Sequence, residues 1–339
     1  MPLALALSLL VAAADPQTAA PEPRDVEQKE DRRLLSSVLA FVPGVIVPGL
    51  GHRVAGDWDA ADKLTIISGS GIAAAVAGVM TLYQTAGDHD LTPLYMSLIF
   101  AGGSMWLSSW LADIAGSVRP TGQARSLASE STLAAAVLYG PSFAHAGKVE
   151  HLGLLRLDYE HPRVLADGWA SYAPGTRYHE LHLRAGLKLF SDARRSHLAL
   201  VAEGLREAGA DSDATGHGGA LMLEGRLDAG VLAPSLAGLV VLERIGAGAI
   251  VYSYDGSPYT DLQAILVLEF GMALALTDSL ELSLLYSQRP DKRLGFFMDH
   301  GGHFELQAKV QVHPSVRLVG LAHIGAGMDV LAGVEAAAW

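Results

Sequence analysis

The residues of this 339-residue chain best equipped for chemistry are histidines set beside carboxylates. Asp299, His300 and His303 fall in the run Asp299-His300-Gly301-Gly302-His303, which could hold a metal ion or form an acid/His pair. His217 follows Asp211 and Asp213, and Tyr178-His179-Glu180 is followed by His182. None of these spacings is a zinc signature. Cysteine is absent, which removes thiolate zinc sites, thiol catalysis and disulfides. Polar residues on loops are more often solvated surface than a site. The reading therefore assigns no catalytic residue and no cofactor, and keeps Asp299, His300 and His303 only as a weak metal candidate.

A larger polar constellation is spread over strands. Leu262, Ala264, Leu266, Leu268, Phe270, Met272, Leu274 and Leu276 are apolar at every second position. After the turn Thr277-Asp278-Ser279 the alternation resumes at Leu280, Leu282, Leu284 and Tyr286, and again at Phe304, Leu306, Ala308, Val310 and Val312. Successive side chains of a strand point to opposite faces, so each run has one oily and one wet face. The wet faces carry His182, Arg184 and Lys188; Glu203; Glu224 and Arg226; Glu269; Glu281 and Arg289; Glu305 and Lys309; and Arg317. Such runs belong to half-buried sheets in water, or to barrel strands with lipid outside and a polar interior.

About ten strands are expected between residues 148 and 339. Short turns are read at Ser191–Arg195, Ala233–Ser235, Thr277–Ser279 and His313–Ser315. Longer loops are read at 161–175, 207–217, 254–258 and 290–301. Tight turns on one side and longer loops on the other favour the lipid-facing alternative. An interior of about ten strands is narrow enough for Arg, Lys, Glu and Gln to fill with salt bridges, which suggests a plugged scaffold and not an open pore.

Residues 34–147 read as helical. Asp59 and Asp62 are placed to cap a helix running to about Tyr83, Thr92-Pro93 starts a second ending near Gly116, and Ser129-Glu130 opens a short third. The two long helices are apolar nearly all round, with small residues such as Gly71, Ala75, Gly78 and Gly102 at close-packing spacing. They predict a hairpin, packed against the barrel or lying on the periplasmic leaflet. Before it stands Pro48-Gly49-Leu50-Gly51-His52, then Gly56-Asp57, in which Gly49 and Gly51 would allow close backbone approach and His52 could bond Asp57. Residues 1–14 read as a secretory signal ending in Ala12-x-Ala14, and 15–33 as a charged linker.

Composition excludes one class of partner. The net charge is −12, with no basic stripe to replace phosphate counterions, so nucleic acid is not expected. Half the residues are hydrophobic and only 18% are charged, and the mean hydropathy of +0.28 is high for a water-soluble chain.

The C-terminal half resembles bacterial outer-membrane β-barrel proteins, on its alternation pattern, the hairpin sequence Leu276-Thr277-Asp278-Ser279-Leu280-Glu281-Leu282 and the terminal Trp339. The PGLGH run is similar to the turn that precedes helical hairpins in a broad set of small bacterial membrane proteins. Together these imply an α+β membrane protein: an apolar helical hairpin, then an antiparallel up-and-down transmembrane β-barrel. The implied partners are outer-membrane lipid, the barrel insertion machinery and other envelope proteins. The implied role is structural, assembly or transport. Two alternatives stay open, a surface barrel hydrolase acting on lipid or peptide, and an inner-membrane hairpin carrying a soluble ligand-binding barrel.

Overall fold

A computed structural model describes residues 35–85, 91–118, 132–143, 149–192, 196–209, 212–275, 277, 279–288, 302–325 and 327–338. The expected signal segment 1–14 and linker 15–33 lie outside these residues, as do Arg289, Asp299, His300 and Trp339.

The chain forms two compact units. The first holds the helices and takes in Asp228–Val241 from between two strands; the second holds the remainder of the strands.

The helices are α1 (35–41), α2 (Leu50–Ala55), α3 (Trp58–Gln84) and α4 (Thr92–Val118). Asp57, not Asp59 or Asp62, caps α3, its carboxylate accepting from the Ala60 N–H at 3.2 Å. Gly49 before α2 and Gly56 after it have φ of 99° and 87°, a left-handed backbone that glycine adopts without penalty. α3 and α4 run antiparallel and very close. A Cβ on Gly71 would stand 2.6 Å from the Gly102 carbonyl oxygen, and one on Gly102 would stand 2.3 Å from that of Gly71.

The strands close into a barrel of twelve, each hydrogen-bonded to its sequence neighbours and β1 to β12. They are β1 (Thr132–Phe143), β2 (Val149–Glu160), β3 (Val164–Ala173), β4 (Tyr178–Ser191), β5 (His197–Gly209), β6 (Ser212–Asp228), β7 (Leu239–Tyr254), β8 (Thr260–Ala275), β9 (Leu280–Ser287), β10 (His303–His313), β11 (Val316–Ile324) and β12 (Met328–Ala338).

Two of these correct the expected count of about ten. Ser129-Glu130 lie outside the described residues, but the short helix expected to follow them is a strand: Thr132–Phe143 is β1, which pairs with β2 on one side and β12 on the other. Leu133-Ala134-Ala135-Ala136 favours helix by propensity, but a strand that closes a barrel gains two ladders, and tertiary pairing overrides the local preference. The barrel therefore begins before residue 148. Likewise 161–175 is not a loop. It contains β3, whose Asp167 and Gly168 look like turn residues but pair with Arg184 and Leu183 of β4. The loop expected at 207–217 is also mostly strand, while the expected short turn around Ala233–Ser235 lies in a longer connection with two 3-10 turns, Ala229–Val231 and Pro234–Leu236.

The β1–β12 seam tests closure directly. A Cβ on Gly333 of β12 would stand 1.9 Å from the Val137 carbonyl oxygen, whereas one on Gly204 of β5 would meet open space. Gly333→Val is expected to abolish the compact, fast-migrating form of the unboiled protein on a detergent gel. Gly204→Val should keep it, and equal behaviour of the two variants would contradict the seam.

Candidate functional site

Parity sorts the barrel into two surfaces. On β4, Leu181, Leu183, Leu187 and Leu189 are exposed on the outside, while His182 and Arg184 between them are buried. The same alternation places Glu203, Glu224, Glu269 and Glu335 inside and leaves Leu200, Leu221, Leu262 and Val334 outside.

The inward polar side chains form a chain of paired groups. The Glu203 carboxylate accepts from Arg184 Nε at 3.0 Å and lies 3.1 Å from His182 Nδ1. Arg184 also donates to Glu269 at 3.3 Å, a bond from β4 to β8 that crosses the interior. Glu269 accepts in turn from Arg244 at 2.7 Å and from Ser287 at 3.2 Å, and Arg244 is paired with Glu224. Glu224 lies 2.8 Å from His197 Nε2. Glu160 of β2 closes the chain at one end, accepting from Lys188 at 2.8 Å and from Arg226 at 3.2 Å. The side chains of Arg184, Glu203 and Glu269 are only 5%, 1% and 1% exposed. Charges so withdrawn from water must be paired, because an isolated one costs several kcal/mol.

Aromatic and aliphatic side chains fill the remaining space. Trp169 of β3 stacks on the His182 ring with centroids 4.2 Å apart, and the Arg184 guanidinium sits 4.6 Å from the Trp169 ring. Leu165, Val201, Met222, Ile250, Tyr252 and Val267 form one inward apolar cluster, and Leu138, Leu152, Leu154, Tyr178, Leu321 and Leu331 another.

A second charged group lies toward β10 to β12. Glu335 accepts from Lys309 at 2.7 Å and from Arg317 at 3.0 Å. Arg156 of β2 reaches Glu305 of β10 at 3.4 Å, and His323 bridges Glu305 and Asp329 at 3.4 Å each. Here water retains some access, since the Arg156 and Asp158 side chains are 32% and 35% exposed.

Of the residues singled out by sequence, His182, Arg184, Lys188, Glu203, Glu224, Arg226, Glu269, Glu305, Lys309 and Arg317 are brought together in these pairs. Glu281 stands opposite Lys309 in the β9–β10 register. His303 lies on β10 with its ring edge-on to His323, centroids 5.6 Å apart. Among the described residues no group of three His, Asp or Glu could hold a metal ion. Sequence reasoning missed Arg156, Asp158, Glu160 and Asp167, the last because β3 looks like a loop. Glu243 and Arg244 put charge on both faces of β7, and the interior takes Arg244 between Glu224 and Glu269.

The first unit has its own polar centre. Asp113 of α4, fully buried, accepts from the backbone N–H groups of Gly51 at 3.1 Å and His52 at 3.0 Å, and its Oδ1 lies 2.7 Å from His52 Nδ1. The expected partner of His52, Asp57, instead caps α3 and accepts from Ser235 Oγ at 2.7 Å; only its backbone N–H bonds the His52 carbonyl, at 2.8 Å. Gly51 leaves room for this, since a Cβ there would stand 2.4 Å from Ser117 Oγ. Lys63 Nζ donates to the Leu232 carbonyl at 2.5 Å. The β6–β7 connection is thus bonded into the helical unit.

No family model matches the chain, and no curated protein matches it. Solved structures similar to it include KdgM porin (8% identity, TM-score 0.40, 59% of this chain and 98% of that one). Others are an outer membrane channel from Pseudomonas putida F1 (12%, 0.37, 65% and 98%) and the Acinetobacter baumannii outer membrane protein Omp33 (9%, 0.34, 62% and 99%).

Removing one partner of a buried ion pair costs about 3–5 kcal/mol. Arg244→Met, which strips Glu224 and Glu269 together, is expected to lower the urea midpoint of the folded barrel, read from its gel mobility. Gln263→Met, at an exposed position, should not. Asp113→Leu orphans the Gly51 and His52 N–H groups and is expected to speed trypsin cleavage after Arg53 and Lys63 while the barrel fragment stays resistant. Unchanged cleavage would deny Asp113 its anchoring role.

Proposed function

We propose that the chain is an outer-membrane β-barrel serving as a structural or assembly component of the bacterial envelope, its interior closed by its own side chains. The observation that carries this reading is the contrast between the two barrel surfaces. Leu133, Val137, Leu183, Leu187, Leu221, Leu318 and Val334 are exposed on the outside, and the charges are paired inside. Water would reverse that preference, because transfer of apolar surface out of water is favourable by roughly 25 cal/mol per Å². Acyl chains outside satisfy it.

The strand ends that carry the β2–β3, β4–β5, β6–β7, β8–β9 and β10–β11 connections, with the end of β12, are taken to face the periplasm. Residues 1–14 would then direct export and 15–33 link the signal to a periplasmic helical start. Outer-membrane lipid and the insertion machinery are the partners this requires, and other envelope proteins would meet the helical unit.

Bonds that cross the interior argue against an open diffusion pore. Arg184 to Glu269, Arg226 to Glu160 and Arg156 to Glu305 each join strands four places apart around the barrel. A transport reading is favoured by one observation, the water-accessible Arg156 and Asp158 of β2, which could line a narrow polar path.

Purified protein in a planar bilayer is expected to show no steady conductance, and the double variant Arg184→Ala/Arg244→Ala to open a conducting path. A steady conductance from the wild type that Arg156→Ala alters would overturn the closed scaffold and establish transport.

A further inference from the structure

The helices of the first unit present a surface that a periplasmic location does not account for. Ile66, Ile72, Val76, Val79 and Met80 of α3, with Leu94 of α4, are all exposed. No Asp, Glu, Lys or Arg occurs from Thr65 through Thr85, nor from Thr92 through Ala112. The charged residues within α3, α4 and the approach to α3, namely Arg53, Asp57, Asp59, Asp62, Lys63 and Asp113, lie at one end, where α3 begins and α4 ends.

Length, aromatic placement and hydrogen bonding point to the same solvent. α3 has 27 residues, about 40 Å at 1.5 Å per residue, against a hydrocarbon thickness of about 30 Å. Trp58 and Tyr83, 61% and 84% exposed, stand at its two ends, where amphipathic rings meet the two surfaces of a bilayer. Three hydroxyls within the apolar stretch bond the helix backbone and need no water. Thr81 donates to the Ala77 carbonyl at 2.8 Å, Ser104 to Phe100 at 2.9 Å and Ser109 to Met105 at 2.8 Å. Beyond α3 the sequence turns polar again, in Gly87-Asp88-His89-Asp90.

We propose that the α3–α4 hairpin spans a lipid bilayer, with acyl chains against its exposed apolar faces. Its charged end, holding Asp57, Lys63 and Asp113, lies at one membrane surface, and Gln84 lies at the other. Which bilayer this is rests on the barrel reading above. Lys63 and Asp57 bond Leu232 and Ser235, which belong to the chain between β6 and β7 and to the same compact unit as the helices. Taken with that reading, the bilayer is the outer membrane.

The absence of cysteine makes the test direct, since one introduced thiol is the only thiol. Four single variants of the full chain, Gln84→Cys, Val76→Cys, Ser257→Cys and Ser315→Cys, are exposed in cells to a membrane-impermeant maleimide. Ser257 reports the β7–β8 connection and Ser315 the β10–β11 turn. The expected result is labelling at 84 and 257 in intact cells and at 315 only after the outer membrane is permeabilised. Labelling at 76 should be absent in native membranes and appear on denaturation. Labelling at 76 in native membranes, or at 84 only under the conditions that label 315, overturns the proposal. If 257 itself fails to label in intact cells, the barrel reading fails. Protection at 76 then still decides whether the hairpin lies in lipid.

Discussion

Everything in the strand unit depends on closure of the hydrogen-bond ladder between β1 and β12. An open sheet would leave a row of unpaired N–H and C=O groups at each edge, and only a closed barrel removes both edges. Closure also creates an inside. Once Leu133 pairs with Ala338 and Phe143 with Met328, every second residue of every strand is committed to a confined interior. That confinement forces charges on different strands into contact and so dictates the pairing chain from Glu203 to Glu160.

The interior shows how the chain reconciles twelve strands with a filled core. More strands make a wider barrel, yet long side chains still meet across it, and two apolar clusters occupy the rest. Glu335 illustrates the trade. It places a charge among the apolar residues of β12, yet it is the common acceptor for Lys309 and Arg317. Interior charge balance prevails over a clean terminal pattern.

The helical unit is organised by a different principle. Asp113 gathers two backbone N–H groups and one imidazole, so a residue late in α4 fixes a turn some sixty positions earlier. The two glycines around Leu50 serve this arrangement, one by its left-handed backbone and the other by the missing Cβ. Bonds to Leu232 and Ser235 then make a connection between barrel strands part of the helical unit.

Alternation along β4 to β6 and β8 to β11 was legible in the residues themselves, because a period of two records which face meets which solvent. So were the two long helices, their close approach through small residues, and the inward position of Arg184, Glu203 and Glu269. What the chain could not announce locally were β1 and β3, since alanine-rich and Asp-Gly-containing segments become strands only when neighbours supply both ladders. Pairing was equally hidden. That Arg184 crosses to Glu269, that Arg244 sits between two glutamates, and that His52 finds Asp113 and not Asp57 depend on residues distant in sequence. Composition and period determine which side chains leave water; only tertiary closure decides which of them meet, because contact between strands is set by register and not by order along the chain.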